Sequence, residues 1–251
     1  MVQVKTRTPE EFRTYIDEQE KKGQHITISV RIHFRKVGPL AYISHLDLVR
    51  TMMKIVVRSG LPLWYTEGFN PKPKLVFAAP LSTGVESEVE FMDLRLAEII
   101  PEEEVVEKLN RVMPPDMQVV KAYYPVGALS DLGAIAYKIV VSSPDVCEEL
   151  RSRVGNALKK ECYEVEKKTK KGDMKSVDIK SQVYEVETAI ENGRLVILAT
   201  LCADPSAFLN PEYFLAYLRR EAGLLSRTNL MEESYTICRI AAFDKEKMPF
   251  V

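Results

Sequence analysis

A regular alternation of apolar and polar side chains over residues 28–34 gives the first strong constraint on the fold. This period of two is typical of a half-buried strand. A helix is predicted to follow from Ser44, then two further strands, a second helix from Pro101 and a last strand over residues 117–124. The order of these elements is β-α-β-β-α-β.

The same order of elements recurs in the second half of the chain. A strand over residues 134–141 and a helix over residues 144–158 are predicted first, followed by strand-like segments over 163–166 and 183–189. A strand over residues 194–201, a helix over 205–220 and a last strand over 235–242 complete the unit. Two such units in succession predict an α+β fold of two tandem ferredoxin-like modules with antiparallel sheets.

The predicted domain boundaries follow from this repeat. Residues 1–25 are expected to form a helical extension that packs weakly, and residues 26–126 the first module. The second module is predicted over residues 133–243, with a basic hairpin at residues 167–180. Residues 244–251 are expected to be loose.

Composition narrows the possible functions. The chain of 251 residues has 35 basic and 36 acidic side chains, so a site for a polyanion must be a local basic patch. The start has no signal-peptide core and no apolar run has the length of a membrane span, which predicts a cytoplasmic protein. The four cysteines are far apart and form no CxxC pair, so no directly bound metal or cofactor is expected.

The helix that begins at Ser44 has an apolar and a basic face. Ser44 and Asp47 are typical of a side-chain cap, and Gly60 is expected to end the helix. The apolar residues at helical spacing, which are expected to face a sheet, are Leu46, Val49, Met53 and Val56. The basic stripe at positions i, i+4 and i+8 consists of Arg50, Lys54 and Arg58.

The motif GFNPKPK, residues 68–74, predicts a stiff loop that presents Lys72 and Lys74. A proline on either side of Lys72 restricts the backbone, which lowers the entropic cost of fixing a charge. Such a loop suits a phosphate ligand. The alternative interpretation is a rigid turn with ordinary surface lysines.

Other polar and aromatic residues near this loop complete the predicted RNA-binding surface. Tyr65 and Phe69 are candidates for stacking on a base. Asn70 belongs to the turn itself, and Ser87 lies in a second polar loop that is expected to meet the first.

His45 is a candidate general base at the start of the same helix. It lies two residues before Asp47, so the two side chains do not share a helix face and no local nucleophilic triad is indicated. The alternative interpretation is a histidine that bonds a neighbouring loop, and no catalytic residue is firmly predicted.

A secondary basic patch is predicted in the hairpin of the second module. Its lysines are Lys168, Lys170, Lys171 and Lys175. The alternative interpretation is a solvated turn.

Three motifs carry a resemblance to a known family. They are GPLAYISHLDLVR, RSGLPLWYTEGFNPKPK and PLSTGVESEVEFMDLRL. They resemble the radical-SAM-linked (radical-SAM-associated) bacterial proteins, a domain of unknown function found alone or fused behind a radical-SAM module. In that family the loop usually has histidine at the position of Lys72.

The resemblance implies a partner for this chain. That partner is a radical-SAM protein carrying a 4Fe–4S cluster and S-adenosylmethionine. The family's genes tend to lie near ribosomal-protein and ribonuclease genes, which implies RNA or the ribosome as the substrate.

Three functional hypotheses follow. The first is a non-catalytic accessory protein that positions RNA or docks a radical-SAM enzyme. The second is a metal-independent RNA-processing or RNA-modifying enzyme that uses His45, by analogy with tandem ferredoxin-like endoribonucleases. The third is a protein-binding scaffold of unknown oligomeric state.

Overall fold

The computed structural model describes residues 6–23, 26–168, 172–227 and 232–251. The chain divides into two compact units. The first comprises the residues up to Leu132 together with Met248–Val251, and the second comprises Gly133–Lys247.

The first unit is an antiparallel sheet with helices. Its elements in chain order are β1 (Thr6–Arg7), α1 (Pro9–Lys21), β2 (Ser29–Lys36), α2 (His45–Arg58), β3 (Leu75–Phe77), β4 (Val85–Arg95), α3 (Glu102–Asn110) and β5 (Val119–Pro125). The strands lie in the order β1-β5-β2-β4, and β3 also pairs with β4. All of these pairs are antiparallel.

The second unit has the same order of elements as β2 to β5 of the first unit, with an added hairpin. Its elements are β6 (Leu132–Ser142), α4 (Glu148–Ala157), β7 (Glu164–Lys168), β8 (Met174–Asp178), β9 (Val183–Glu191), β10 (Arg194–Cys202), α5 (Pro211–Ala222) and β11 (Ser234–Asp244). The strands lie in the order β11-β6-β10-β9, while β7 and β8 form a separate two-stranded sheet. The predicted α+β class with antiparallel sheets is therefore confirmed.

The N-terminal helix α1 belongs to the core of the first unit. Thr8 caps it and Pro9 begins it. Phe12 is buried in the same cluster as the sheet, and its ring stacks on Tyr124 with the centroids 4.7 Å apart. Phe12 is the buried residue of this helix, and Tyr15 and Ile16 pack against the same cluster, so the helix contacts the first unit through these few apolar side chains.

The last residues of the chain are also held in the first unit. Arg31 is fully buried and binds the carboxylate of Asp93 through two nitrogens, at 2.7 and 3.0 Å. Its Nη1 donates to the carbonyl oxygen of Val251 at 2.7 Å, and Phe250 is buried against Phe91. The prediction of a loose tail is therefore wrong for these residues, since a buried guanidinium requires several acceptors.

Helix α2 begins and ends where the sequence predicts. The hydroxyl oxygen of Ser44 accepts a hydrogen bond from the backbone N–H of Asp47 at 3.2 Å, and Gly60 takes a positive φ of 72° just beyond the helix. The buried face of the helix consists of Leu48, Met52, Ile55 and Val56.

The predicted buried face of α2 is therefore only partly correct. Val56 is buried, but Leu46 is 66% exposed, and Val49 and Met53 are half-buried. Apolar residues cover more than one side of this helix, so its periodicity is compatible with two orientations on the sheet. The structure buries the side carrying Leu48 and Met52 and leaves the other accessible.

Candidate functional site

The accessible side of α2 forms one wall of a groove in the first unit. The groove has a volume of about 570 Å³, within the range of small-ligand sites. Four cationic residues and four apolar residues line it: Arg50, Lys54, Arg58 and Lys72, with Val49, Met53, Val57 and Pro73.

The loop that carries Lys72 is closed by short-range hydrogen bonds. The backbone N–H of Thr66 donates to the carbonyl oxygen of Lys72 at 2.9 Å. The N–H of Lys72 donates to the hydroxyl of Thr66 at 3.1 Å. Pro73 is buried and pairs with Tyr65, and Gly68 takes a positive φ of 118° within the loop. These contacts fix the backbone of Lys72 at the groove beside α2.

The charges of the groove are largely uncompensated. Arg50 is paired with Asp47 at 3.2 Å, but both side chains are exposed, so this pair contributes little. The side chains of Lys54, Arg58 and Lys72 make no hydrogen bond or ion pair with any residue that the structure describes. Because the described lining residues include no acid, the groove offers positive charge over an apolar floor.

The structure places only some residues of the predicted RNA-binding surface together. Arg50, Arg58 and Lys72 line one groove, although Lys72 is distant from the helix in sequence. Lys74 is exposed and does not belong to the lining, and its carbonyl oxygen accepts from the N–H of Arg95 at 3.0 Å.

The aromatic candidates lie on the loop and outside the groove lining. Phe69 is fully exposed, and Tyr65 is 44% exposed. Asn70 is exposed on the same loop. Their role in binding a base stays a prediction.

Ser87 does not fit the predicted surface. It is fully buried within β4, and its hydroxyl accepts a hydrogen bond from the N–H of Val89 at 3.1 Å. The prediction took PLSTGVES as one polar loop, but β4 begins at Val85 and carries Ser87 into the sheet. A buried hydroxyl cannot contact a ligand at the protein surface.

His45 is packed against an aromatic ring. Its imidazole meets Phe77 edge to face, with the centroids 5.5 Å apart. Its Nδ1 is buried and has no hydrogen-bond partner among the described residues. This contact is a packing interaction, and the role of general base stays a prediction.

The described lysines of the basic hairpin lie on both faces of the β7–β8 sheet. Lys167 lies directly opposite Lys175, so these two share a face, while the neighbouring Lys168 points to the other face. Lys167 lies over the ring of Tyr213, and burial lowers its pKa. The role of Lys168 and Lys175 in a basic patch stays a prediction, and Lys170 and Lys171 lie outside the described residues.

Sequence reasoning missed the apolar floor of the groove. Val49, Met53 and Val57 recur at i, i+4 and i+8, each one residue before a member of the basic stripe. That spacing predicts a continuous apolar row along α2, because residues four apart lie on one side of a helix. It does not tell this row from the buried row of Leu48, Met52 and Val56, which has the same spacing.

Two further observations concern ligands and membranes. Within the described ranges, no group of three or more His, Cys, Asp or Glu residues is arranged to hold a metal ion. None of the described helices is both long enough and apolar enough to span a membrane.

Comparison with known proteins assigns the chain to a family. Residues 29–211 match the family described as "Uncharacterized protein conserved in bacteria (DUF2344)", and the chain belongs to this family. No curated protein matches the chain.

Two solved structures are similar to this chain at 13% sequence identity. One, a Cbf5-Nop10-Gar1 complex, has a TM-score of 0.48 and is matched over 96% of this chain but 56% of the other. An unknown protein from Galdieria sulphuraria has a TM-score of 0.22, with 86% of this chain and 99% of the other covered. Neither likeness bears on function.

Proposed function

We propose that this protein is a non-catalytic accessory protein that positions an RNA or ribosome-related substrate for a radical-SAM enzyme. The observation that carries the proposal is the groove beside α2, where four cations surround an apolar floor. In this proposal the partner carries the 4Fe–4S cluster and S-adenosylmethionine, and both proteins act in the cytoplasm.

Among the three hypotheses, the chemistry of the groove favours the accessory protein, with RNA as the molecule that it binds. Phosphate groups are attracted by lysine and arginine side chains, and bases offer flat apolar faces to the floor. The groove cations remain available, because three of them have no ion-pair partner among the described residues. An uncharged protein surface would leave these charges without a partner, which disfavours a simple scaffold.

The alternative of an RNA-processing enzyme finds less support. It requires His45 to reach a 2′-hydroxyl, whereas the imidazole packs on Phe77 and does not line the groove. The groove itself supplies charge and apolar contact, which are properties of a binding site.

Tandem ferredoxin-like modules are the architecture we propose for this function. In support, the first strand of each repeat lies between the last and the third: β2 between β5 and β4, and β6 between β11 and β10. The second strand of each repeat then pairs with the third, β3 with β4 and β9 with β10. The β7–β8 hairpin is an insertion in the second repeat.

The test is RNA binding by two variants of the same loop. Labelled total RNA is titrated with purified protein across a salt series, and Lys72→Glu is compared with Lys74→Glu. Lys72 lines the groove and Lys74 does not, although both are exposed lysines two residues apart. Replacing an attraction of about 1 kcal/mol by a similar repulsion should weaken binding about thirtyfold for Lys72→Glu. Lys74→Glu should have a much smaller effect.

An equal loss of RNA affinity in the two variants would contradict a specific role for the groove, since it would reflect only the change in net charge. Absence of RNA binding by the unmodified protein would overturn the RNA proposal. A pull-down with a radical-SAM protein would then be the next experiment.

A further inference from the structure

We infer that the groove holds its RNA as a single strand, with phosphates along the basic stripe and bases against the apolar ridge of α2. This inference rests on the proposed function and names the form of RNA that the groove accepts. It is carried by the arrangement of two parallel rows of side chains on one helix.

The first row consists of Arg50, Lys54 and Arg58. Each residue lies four positions after the previous one, which is about 6 Å along the helix axis. The cations therefore form one line with roughly regular steps, and Lys72 adds a charge from the loop. A single line of charges suits the phosphates of one strand.

The second row consists of Val49, Met53 and Val57, at the same intervals and one residue earlier. Val57 is 53% exposed, and the other two are half-buried. In a duplex the base faces are stacked on one another and an apolar side chain has no base face to contact. In a single strand those faces are accessible, so a ridge of apolar side chains beside the cations favours the unpaired form.

Phe69 provides an independent indication. Its ring is fully exposed on the loop that the Thr66–Lys72 hydrogen bonds close, so it contributes nothing to the core. Exposed aromatic rings on a stiff support are the usual stacking platforms for unpaired bases. Lys72, three residues further along the same loop, lines the groove, so the loop links this exposed ring to the groove in the chain.

The size of the groove agrees with this assignment. A volume of about 570 Å³ is that of a site for a small ligand, and it accommodates a few bases of a strand. Recognition of double-stranded RNA instead relies on contacts spread over successive grooves of a long helix.

The test compares the two forms of the same RNA on the full-length chain. A short labelled oligouridine is titrated alone and as its duplex with oligoadenosine, each over a series of salt concentrations. We expect the single strand to bind at least about tenfold more tightly. Four phosphate contacts predict a slope of about −3 for the logarithm of affinity against the logarithm of salt.

The Phe69→Ala variant separates the contribution of base stacking to RNA binding from that of charge. This variant should weaken single-strand binding about tenfold and leave the salt slope unchanged, because no charge is lost. Met174→Ala in the β7–β8 hairpin is the matched control: it removes another exposed apolar side chain, one in the second unit, and should change nothing.

The outcomes distinguish this inference from the proposed function. Equal or tighter binding of the duplex would overturn the inference while leaving an RNA-binding role intact. Binding of neither form would overturn the proposed function, and the inference with it.

Discussion

The chain has two lysine- and arginine-rich regions, and they differ in how the fold uses the charge. In the α2 groove the cationic residues come from a helix and a closed loop, and they line one concavity together with apolar side chains. In the β7–β8 hairpin Lys168 and Lys175 lie on opposite faces of a two-stranded sheet. The hairpin is the more basic region in sequence, with six lysines and two aspartates over residues 167–180, but its described lysines are divided between two faces.

The difference comes from the side-chain periodicity of the secondary structure that carries the charges, a helix in one region and two strands in the other. On a helix, residues four apart lie on one side, so Arg50, Lys54 and Arg58 form a row. On a strand, neighbours point to opposite faces, so a run of lysines is divided between them. A basic stretch thus becomes a candidate site only when its spacing matches its secondary structure.

The largest expected effect is on the free energy of unfolding, and it tests whether the apolar side chains of the groove are accessible or belong to the core. Met52 and Met53 are neighbours on α2, but Met52 is buried in the core and Met53 lines the groove. Met52→Ala should lower the free energy of unfolding by about 3 kcal/mol, because it leaves a cavity. Met53→Ala should lower it by less than about 1 kcal/mol while weakening RNA binding. Urea denaturation and RNA titration of both variants measure these effects.

Similar losses of stability in the two methionine variants would contradict the assignment of the groove side of α2 as accessible surface. In that case the face predicted from the periodicity, with Met53 towards the sheet, would be the better description.

A second prediction compares the two basic regions directly. Lys54→Gln/Arg58→Gln removes two groove charges, and Lys168→Gln/Lys175→Gln removes two from the hairpin. At about 1 kcal/mol for each phosphate contact, the groove variant should bind RNA about thirtyfold more weakly, with a salt slope smaller by about 1.4. The hairpin variant should change the affinity less than about threefold.

Titrations at several salt concentrations decide between the regions. If the hairpin variant lost more RNA affinity than the groove variant, the prediction would be contradicted and the RNA site would lie in the second unit.

The smallest expected effect is that acid loosens the base of the β7–β8 hairpin but not the groove loop. Asp178 at the end of β8 accepts hydrogen bonds from the N–H groups of Lys180 and Tyr163, and these bonds hold its carboxyl pKa below the usual value. Since the folded pKa is lowered, the stabilisation is present above the ordinary value of about 3.9 and is lost as pH falls through the folded pKa. The base of the hairpin should therefore loosen only in acid.

The groove loop provides an internal control for this titration. The N–H of Lys72 is bonded to the hydroxyl of Thr66, which does not titrate in this range. In an NMR titration the amide signals of Tyr163 and Lys180 should move with the Asp178 carboxyl, and that of Lys72 should not. A carboxyl that titrates at its ordinary value would contradict the prediction.

Much of the fold was predictable because it depends on local patterns. The strand at β2, the cap at Ser44 and the end of α2 near Gly60 follow from short-range rules on alternation and capping. The burial of Phe12 and Phe250 was missed, since each depends on a partner ring distant in sequence, Tyr124 and Phe91 respectively.

Local sequence patterns are enough to predict the parts of the candidate site: a capped helix with a cation on every fourth residue, and a proline-stiffened loop carrying Lys72. Helical period and fixed proline φ angles are properties of the local chain, so they can be read without the fold. Tertiary structure alone decided which apolar side of α2 is buried. It also brought Lys72 to that helix, because the relevant contacts depend on how the helix packs on the sheet and how the strands register.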